Sequence, residues 1–136
     1  MRRPKEQPRG FRNCNPLNIR IGNTWLGERN NPDETEFEQF VSMIYGIRAG
    51  FVILRRYIRR YHINTIRLIV SRWAPSSENN TNAYVDTVAK RMKYDPDAEI
   101  RFEDRDTMCS LVDAMIFVEN GMTCDLSVIN KAYDAT

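Results

Sequence analysis

The strongest constraint on how this chain can fold is the stretch from Ser42 to His62. Ser42 offers a cap hydroxyl just ahead of an apolar series. Ile44, Ile47, Phe51, Leu54, Ile58 and Tyr61 recur at steps of three and four, which places them on one helical face. Val52 and Ile53 widen that face beyond a narrow seam. A helix of this length reaches roughly 30 Å, about the diameter of a small domain, so other elements must pack along it. It is expected to be the longest and most buried element. The opposite side carries Arg48, Arg55, Arg56, Arg59 and Arg60, either a solvated face or a groove for an anionic polymer.

At 136 residues the chain fits one domain, assigned to residues 10–136, behind a mobile arm at 1–9 that holds two prolines and several charges. A net charge of +2, from 20 basic and 18 acidic side chains, is too balanced to argue for nucleic acid. No apolar run approaches the roughly 20 residues of a membrane span, and no signal-peptide core follows Met1. The expectation is a chain that inserts into no membrane and leaves the cytoplasm only by lysis or with another protein's help. Cys14, Cys109 and Cys124 lack metal-ligand spacing, and His62 is the sole histidine. No zinc site and no cofactor are therefore expected.

Asparagines and Pro16 mark residues 10–20 as a fixed loop. Ile19 and Ile21 alternate with Arg20, and Gly22-Asn23 is a turn signal before Trp25, so a small β-hairpin is expected near 18–26. A polar loop over 27–36 leads to Phe37 and Phe40, which anchor the chain. Beyond the long helix, Asn64 or Thr65 caps a helix carrying Ile66, Ile69, Val70 and Trp73, which Pro75 stops. Thr81 is the expected cap of a helix with Tyr84, Val85, Val88 and Met92 inward. A further helix places Met108, Leu111, Val112 and Met115 on one face, and Asp125 caps a last one with Leu126, Ile129 and Tyr133. The fold class is mainly α, with one small strand pair near the amino terminus.

Glu119 is the most informative carboxylate. The apolar series 108, 111, 112, 115 continues four residues later to 119, which puts Glu119 on the inward face at the last turn. Asn120-Gly121 then stops the helix. A carboxyl in apolar surroundings near the negative end of a helix dipole has a raised pKa, the state a general acid needs near neutral pH. The competing reading is a frayed terminal Glu turned to water. Glu78, in Trp73-Ala-Pro-Ser-Ser-Glu-Asn-Asn-Thr, is either a helix-start carboxylate held by the dipole or a substrate-positioning group. Trp25, Trp73 and Tyr84 are core, rim or ligand platform. Aromatic faces among Asn- and Arg-rich loops suit sugar rings, which present apolar faces and hydroxyl edges. With a single histidine, no Ser-His-Asp or Cys-His arrangement stands up, and no Gly-rich phosphate loop is present.

Four segments together resemble a known family: Gly10-Phe-Arg-Asn-Cys-Asn-Pro-Leu-Asn-Ile-Arg20 with Trp25-Leu-Gly, Tyr45-Gly-Ile-Arg-Ala, Trp73-Ala-Pro-x-x-Glu-Asn-Asn-Thr-x-x-Tyr84, and Ala114-Met-x-x-Val-Glu-Asn-Gly121. They look like small phage-encoded murein hydrolases, often labelled virion structural proteins, with a lysozyme-like or lytic transglycosylase fold. The match runs from about residue 10 to 133. A looser likeness reaches bacterial glucosaminidases through Asn15-Pro-Leu-Asn-Ile-Arg20, Trp25-x-Gly27 and Phe37-x-x-Phe40-x-Ser42. In those enzymes a helix ending in the catalytic Glu precedes the stretch. Here only Glu6 lies upstream, and the helix ending in Glu119 comes at the other end of the chain, as a circular permutation would place it.

The resemblance implies a peptidoglycan glycosidase or lytic transglycosylase acting between N-acetylmuramic acid and N-acetylglucosamine with one Glu as acid/base. Glu119 is the first candidate and Glu78 the second. Asn15, Asn18, Arg20, Arg48, Asn79 and Thr81 are assigned to substrate positioning or its support, with Trp25, Trp73 and Tyr84 as sugar-facing rings. A monomer from a virion or host cytoplasm, acting on the wall in the periplasm with glycan strands and other virion proteins as partners, is the expected setting. The alternatives are a catalytically silent virion or glycan-binding protein of the same fold, and a nucleic-acid module using the arginine face.

Overall fold

Ser42 closes the first turn of the long helix, its hydroxyl accepting from the Tyr45 amide at 3.5 Å. The computed structural model describes residues 7–77 and 79–136. Among them the helices are, in order, α1 (Arg9–Arg12), α2 (Met43–Tyr61), α3 (Ile66–Trp73), α4 (Thr81–Met92), α5 (Arg105–Asn120) and α6 (Leu126–Asp134). The fold is mainly α. Thr65 caps α3 through the Leu68 amide, and Asp104 caps α5 through Thr107. The expected cap of α4 is displaced by one residue. Asn80 accepts from the Ala83 amide, while Thr81 begins the helix and donates to the Ala74 carbonyl at 2.6 Å. Asp125 precedes α6 without a side-chain capping bond.

Helices α2 to α6 enclose one apolar core in which Phe51, Leu54, Ile69, Leu111, Met115 and Ile129 are wholly buried. Burying such a side chain contributes about 1.5–3 kcal/mol. The longest helix is α2, as its period predicts, but the innermost is α5, which buries seven residues from Met108 to Ile116 against six in the longer α2. Neighbours pack α5 on several sides, whereas α2 keeps its arginine side in water. Tyr61, at the last turn of α2, is 51% exposed, and Leu126 at the start of α6 is likewise exposed. Both extend past the packed part of their helices. Arg9, placed in the arm by its sequence, already belongs to α1 and forms a two-bond pair with Glu34; residues 1–6 lie outside the described residues.

The expected hairpin over 18–26 does not form. Ile19–Ile21 pair instead across the polar loop with 36–38, through Ile21 N–H to the Glu36 carbonyl and Glu38 N–H to the Ile19 carbonyl. A second contact joins Arg29 to Gln39 and Val41 to Gly27. These are isolated antiparallel bridges, Arg20 with Phe37 and Glu28 with Phe40. Burial decides the partner: Ile19 and Phe40 pack on Ala49 of α2 in a small satellite core, and Phe40 reaches it only if 36–40 runs alongside 19–21.

The loop over 13–18 lies directly on α2 at Gly46 and Gly50. A Cβ on Gly46 would collide with the backbone carbonyl of Cys14, and one on Gly50 with the Leu17 side chain. Cys14 and Asn18 both take left-handed backbone, φ 53° and 54°, which Asn tolerates better than Cys. A backbone oxygen cannot rotate away as a side chain can. Gly46→Ala is therefore expected to destabilise the fold by about 3 kcal/mol, the upper range for overpacking, read as a lower denaturant midpoint. A midpoint shift of a few tenths of a kcal/mol, the ordinary effect of a surface change, would show that the loop lifts off α2 freely.

Candidate active site

Glu119 completes the inward face of α5 where that helix runs out, and Gly121 ends it in left-handed backbone at φ 72°. The side chain is half-buried, and both carboxyl oxygens are held. Asn18 Nδ2 donates to Oε1 at 2.9 Å, and the Tyr84 hydroxyl donates to Oε2 at 3.0 Å. Burial pushes the Glu119 pKa above its ordinary value of 4.5, while the two hydrogen bonds, which favour the anion, hold it back. Burial and the neighbouring carboxyl push the Tyr84 phenol far upward, so it stays a donor.

The Asn18 amide is delivered by a rigid loop. Asn15 is wholly buried beneath it, donating to the carbonyls of Ile19 and Glu38 at 2.9 and 3.0 Å and accepting from the Ile19 amide at 3.0 Å. Asn120, next to Glu119, donates to the Pro16 carbonyl at 2.7 Å, so the end of α5 is bolted to the same loop. Gly10 leaves room for this junction, since a Cβ there would press on Asn120 Oδ1 at 2.6 Å. Glu119 opens onto a hollow of about 190 Å3, bordered by Leu17, Asn18 and Arg20 on one side and by Trp73, Ala74 and Asn79 on the other, with Phe37 between. Segments 15–20 and 73–84 thus border one hollow.

Other candidates are placed differently. Arg48 is no cleft residue: its Nε donates to the Ala135 carbonyl at 2.9 Å, tying α2 to the segment after α6. Asn15 is too deep to touch a ligand, and Thr81 braces the α3–α4 connection through Ala74. Trp25 sits in an adjoining groove rather than beside Glu119, and its amide is held by the Glu28 carboxylate at 2.8 Å. Glu78 lies outside the described residues. Arg20 reaches the cleft with its guanidinium 5.2 Å from the Phe37 ring centroid and 3.5 Å from Glu36.

The sequence marks Phe37 as an anchor and Asn120 as a helix stop, but no local signal makes the one a cleft wall or the other a bolt; only the 19–21 to 36–38 pairing brings Phe37 in. Glu38 is the other shielded carboxyl nearby, its pKa raised by burial and by Glu28. It does not border the hollow, so among the described lining residues Glu119 is the one acid. Among the described residues no three His, Cys, Asp or Glu are grouped to hold a metal ion, and no helix is long and apolar enough to cross a membrane.

No protein-family model matches the chain. It is 39% identical over 120 residues, 85% of this chain and 73% of the relative, to a phage protein, Protein P5 of Pseudoalteromonas phage PM2. The chain belongs to the family of that phage protein.

A carboxyl whose native pKa is raised binds its proton more tightly when folded. Its contribution to stability is full below the unfolded pKa near 4.5 and is lost as pH rises through the native value. In the Glu119→Gln variant the amide side chain can keep both bonds, oxygen toward Asn18 and nitrogen toward Tyr84, without titrating. The stability of wild type relative to Glu119→Gln is therefore expected to fall as pH rises across that window in denaturant titrations. A rise would mean that the site stabilises the anion. Tyr84→Phe removes a donor to the carboxylate, so NMR titration of the Glu119 carboxyl carbon should show its pKa higher still.

Proposed function

We propose that this protein cuts the glycan strand of peptidoglycan between N-acetylmuramic acid and N-acetylglucosamine, with Glu119 as its single general acid/base. The observation that carries this reading is one half-buried carboxyl, biased toward its protonated form, opening on a polar cleft walled by Trp73 and Phe37. Aromatic faces take the apolar faces of sugar rings, while Asn18, Arg20 and Asn79 offer donors to hydroxyl and acetamido groups. Read this way, the fold is a lysozyme-like one in which α5 supplies the acid at its carboxyl end. The phage relative fits a protein that meets the wall in the periplasm during infection or lysis.

With one acid, the route is that of a lytic transglycosylase. Glu119 gives its proton to the glycosidic oxygen as the bond to the muramyl C1 breaks. The muramyl 6-hydroxyl then bonds to C1 and returns its proton to the Glu119 carboxylate, leaving an anhydro end and a free hydroxyl. Water in place of the 6-hydroxyl gives hydrolysis, and the anhydro product is lighter by one water, so mass analysis of released muropeptides separates the two. A second reading is a catalytically silent glycan-binding or virion structural protein. It is favoured by one observation, that both Glu119 oxygens already accept hydrogen bonds.

Glu119→Gln separates the readings. Loss of general acid catalysis lowers rate about 10²–10⁴-fold, so the variant should melt near wild type yet barely clear a peptidoglycan suspension. If Glu119→Gln lyses normally while Glu78→Gln is inactive, the acid is Glu78. A folded wild type that retains glycan and releases no muropeptide leaves the binding protein.

A further inference from the structure

The Glu119 cleft does not end at Trp73. Asn18, Arg20 and Trp73 also border a second hollow, of about 250 Å3, that reaches Asn23, Ile53 and Tyr57. Those last three residues in turn border a third, of about 400 Å3, against α2. The shared walls make one groove leading from Glu119 toward the end of α2. Its far part differs chemically from the near part. Trp25, Tyr57 and Tyr61 give it aromatic walls, and Arg56 and Arg72 stand among them.

These two arginines are unlike several others in the chain. Arg9, Arg59, Arg67, Arg91 and Arg105 each pair with a carboxylate. Among the described residues Arg56 and Arg72 pair with none, and Arg72 instead lies 6.0 Å from the Tyr57 ring centroid. The indole N–H of Trp25 is buried without a hydrogen-bond partner among the described residues. A groove with two uncompensated guanidiniums beside ring faces suits an anionic ligand that also carries apolar groups.

We propose that this outer groove is a carboxylate-binding site that takes the peptide stems carried by the strand being cut. The inference rests on the peptidoglycan reading, because it is the continuity with the Glu119 cleft that identifies the occupant. Stem peptides hang from the muramyl lactyl group and bear free carboxylates next to aliphatic side chains. Arg56 and Arg72 meet the former, and Trp25, Tyr57 and Tyr61 the latter. A strand stripped by an amidase keeps only the lactyl carboxylate on the muramyl sugar itself and offers the outer groove neither the stem's carboxylates nor its aliphatic side chains, so the site makes the protein prefer peptide-bearing strands over stripped ones.

The test is calorimetric binding in the Glu119→Gln background, where no strand is cut. The ligands are soluble glycan fragments bearing stem peptides, the same fragments stripped by an amidase, and peptide-bearing fragments with their carboxyls converted to amides. Arg56→Gln with Arg72→Gln should weaken the peptide-bearing ligand about tenfold, the scale of two partly exposed ion pairs, and leave the stripped ligand within about twofold. The amidated ligand should lose the same factor against the unsubstituted arginines, a measurement that does not depend on the variant's folding. Added salt should erode the preference. Equal binding of all three ligands, or an equal loss for all three, overturns the proposal, as does tighter binding of a phosphate polymer than of the stems. Cleavage is scored separately. A wild type that prefers stems but releases no muropeptide ends the glycosidase reading and supports this site.

Discussion

The close approach of a polar loop to a helix governs the rest of this structure. Gly46 and Gly50, one turn apart on α2, have no side chains, so the backbone at Cys14 and the side chain of Leu17 rest against the helix itself. That contact sets the depth at which residues 13–18 run. From it follow the burial of Asn15, the left-handed turn at Asn18 and the position of the Asn18 amide over α5. A loop held a few ångströms further out would leave Glu119 facing water and remove the burial that biases it toward its protonated form.

Glu119 sits in a balance of opposing effects. Desolvation favours the neutral carboxyl, while Asn18 and Tyr84 favour the anion. Either influence alone makes a poorer acid/base: a carboxyl without donors resists giving up its proton, and one with donors in open water gives it up too early. The two donors come from different parts of the chain, one on a loop clamped by glycines and one on α4 in the main core. Their spacing is maintained by packing that has no part in the chemistry proposed for Glu119.

The sequence made much of this legible, unevenly. Apolar periodicity located α2, α3, α4 and α5, because helix burial repeats every three to four residues whatever the partner. The same period put Glu119 on the inward face. Local hydrogen bonding was read less finely, as at Asn80 and Thr81, where two good capping residues adjoin and tertiary contact with Ala74 chooses between them. Pairing across the 22–36 loop was invisible: a turn signal at Gly22-Asn23 is local, whereas the partnership of 19–21 with 36–38 is set by where Ile19 and Phe40 find apolar cover. Arg48 looks like a ligand-binding arginine until the distant Ala135 carbonyl is seen beside it. Charged side chains report their partners only once the chain is folded.

The bonds that assemble the site join distant parts of the chain. Asn18 meets Glu119 across 101 residues, and Pro16 meets Asn120 across 104. Closing loops of that length requires chain entropy to be surrendered before these contacts can repay it, so long-range pairings of this kind form slowly. Helices α3 to α5 can meet through short connections, but the amino-terminal loop has no finished surface to dock on until α5 exists. During synthesis residues 13–18 must wait for α5, about a hundred residues later, before they can dock. A nascent chain ending before α5 has no site at all, and the chemistry proposed for Glu119 is withheld until α5 has been made and has folded.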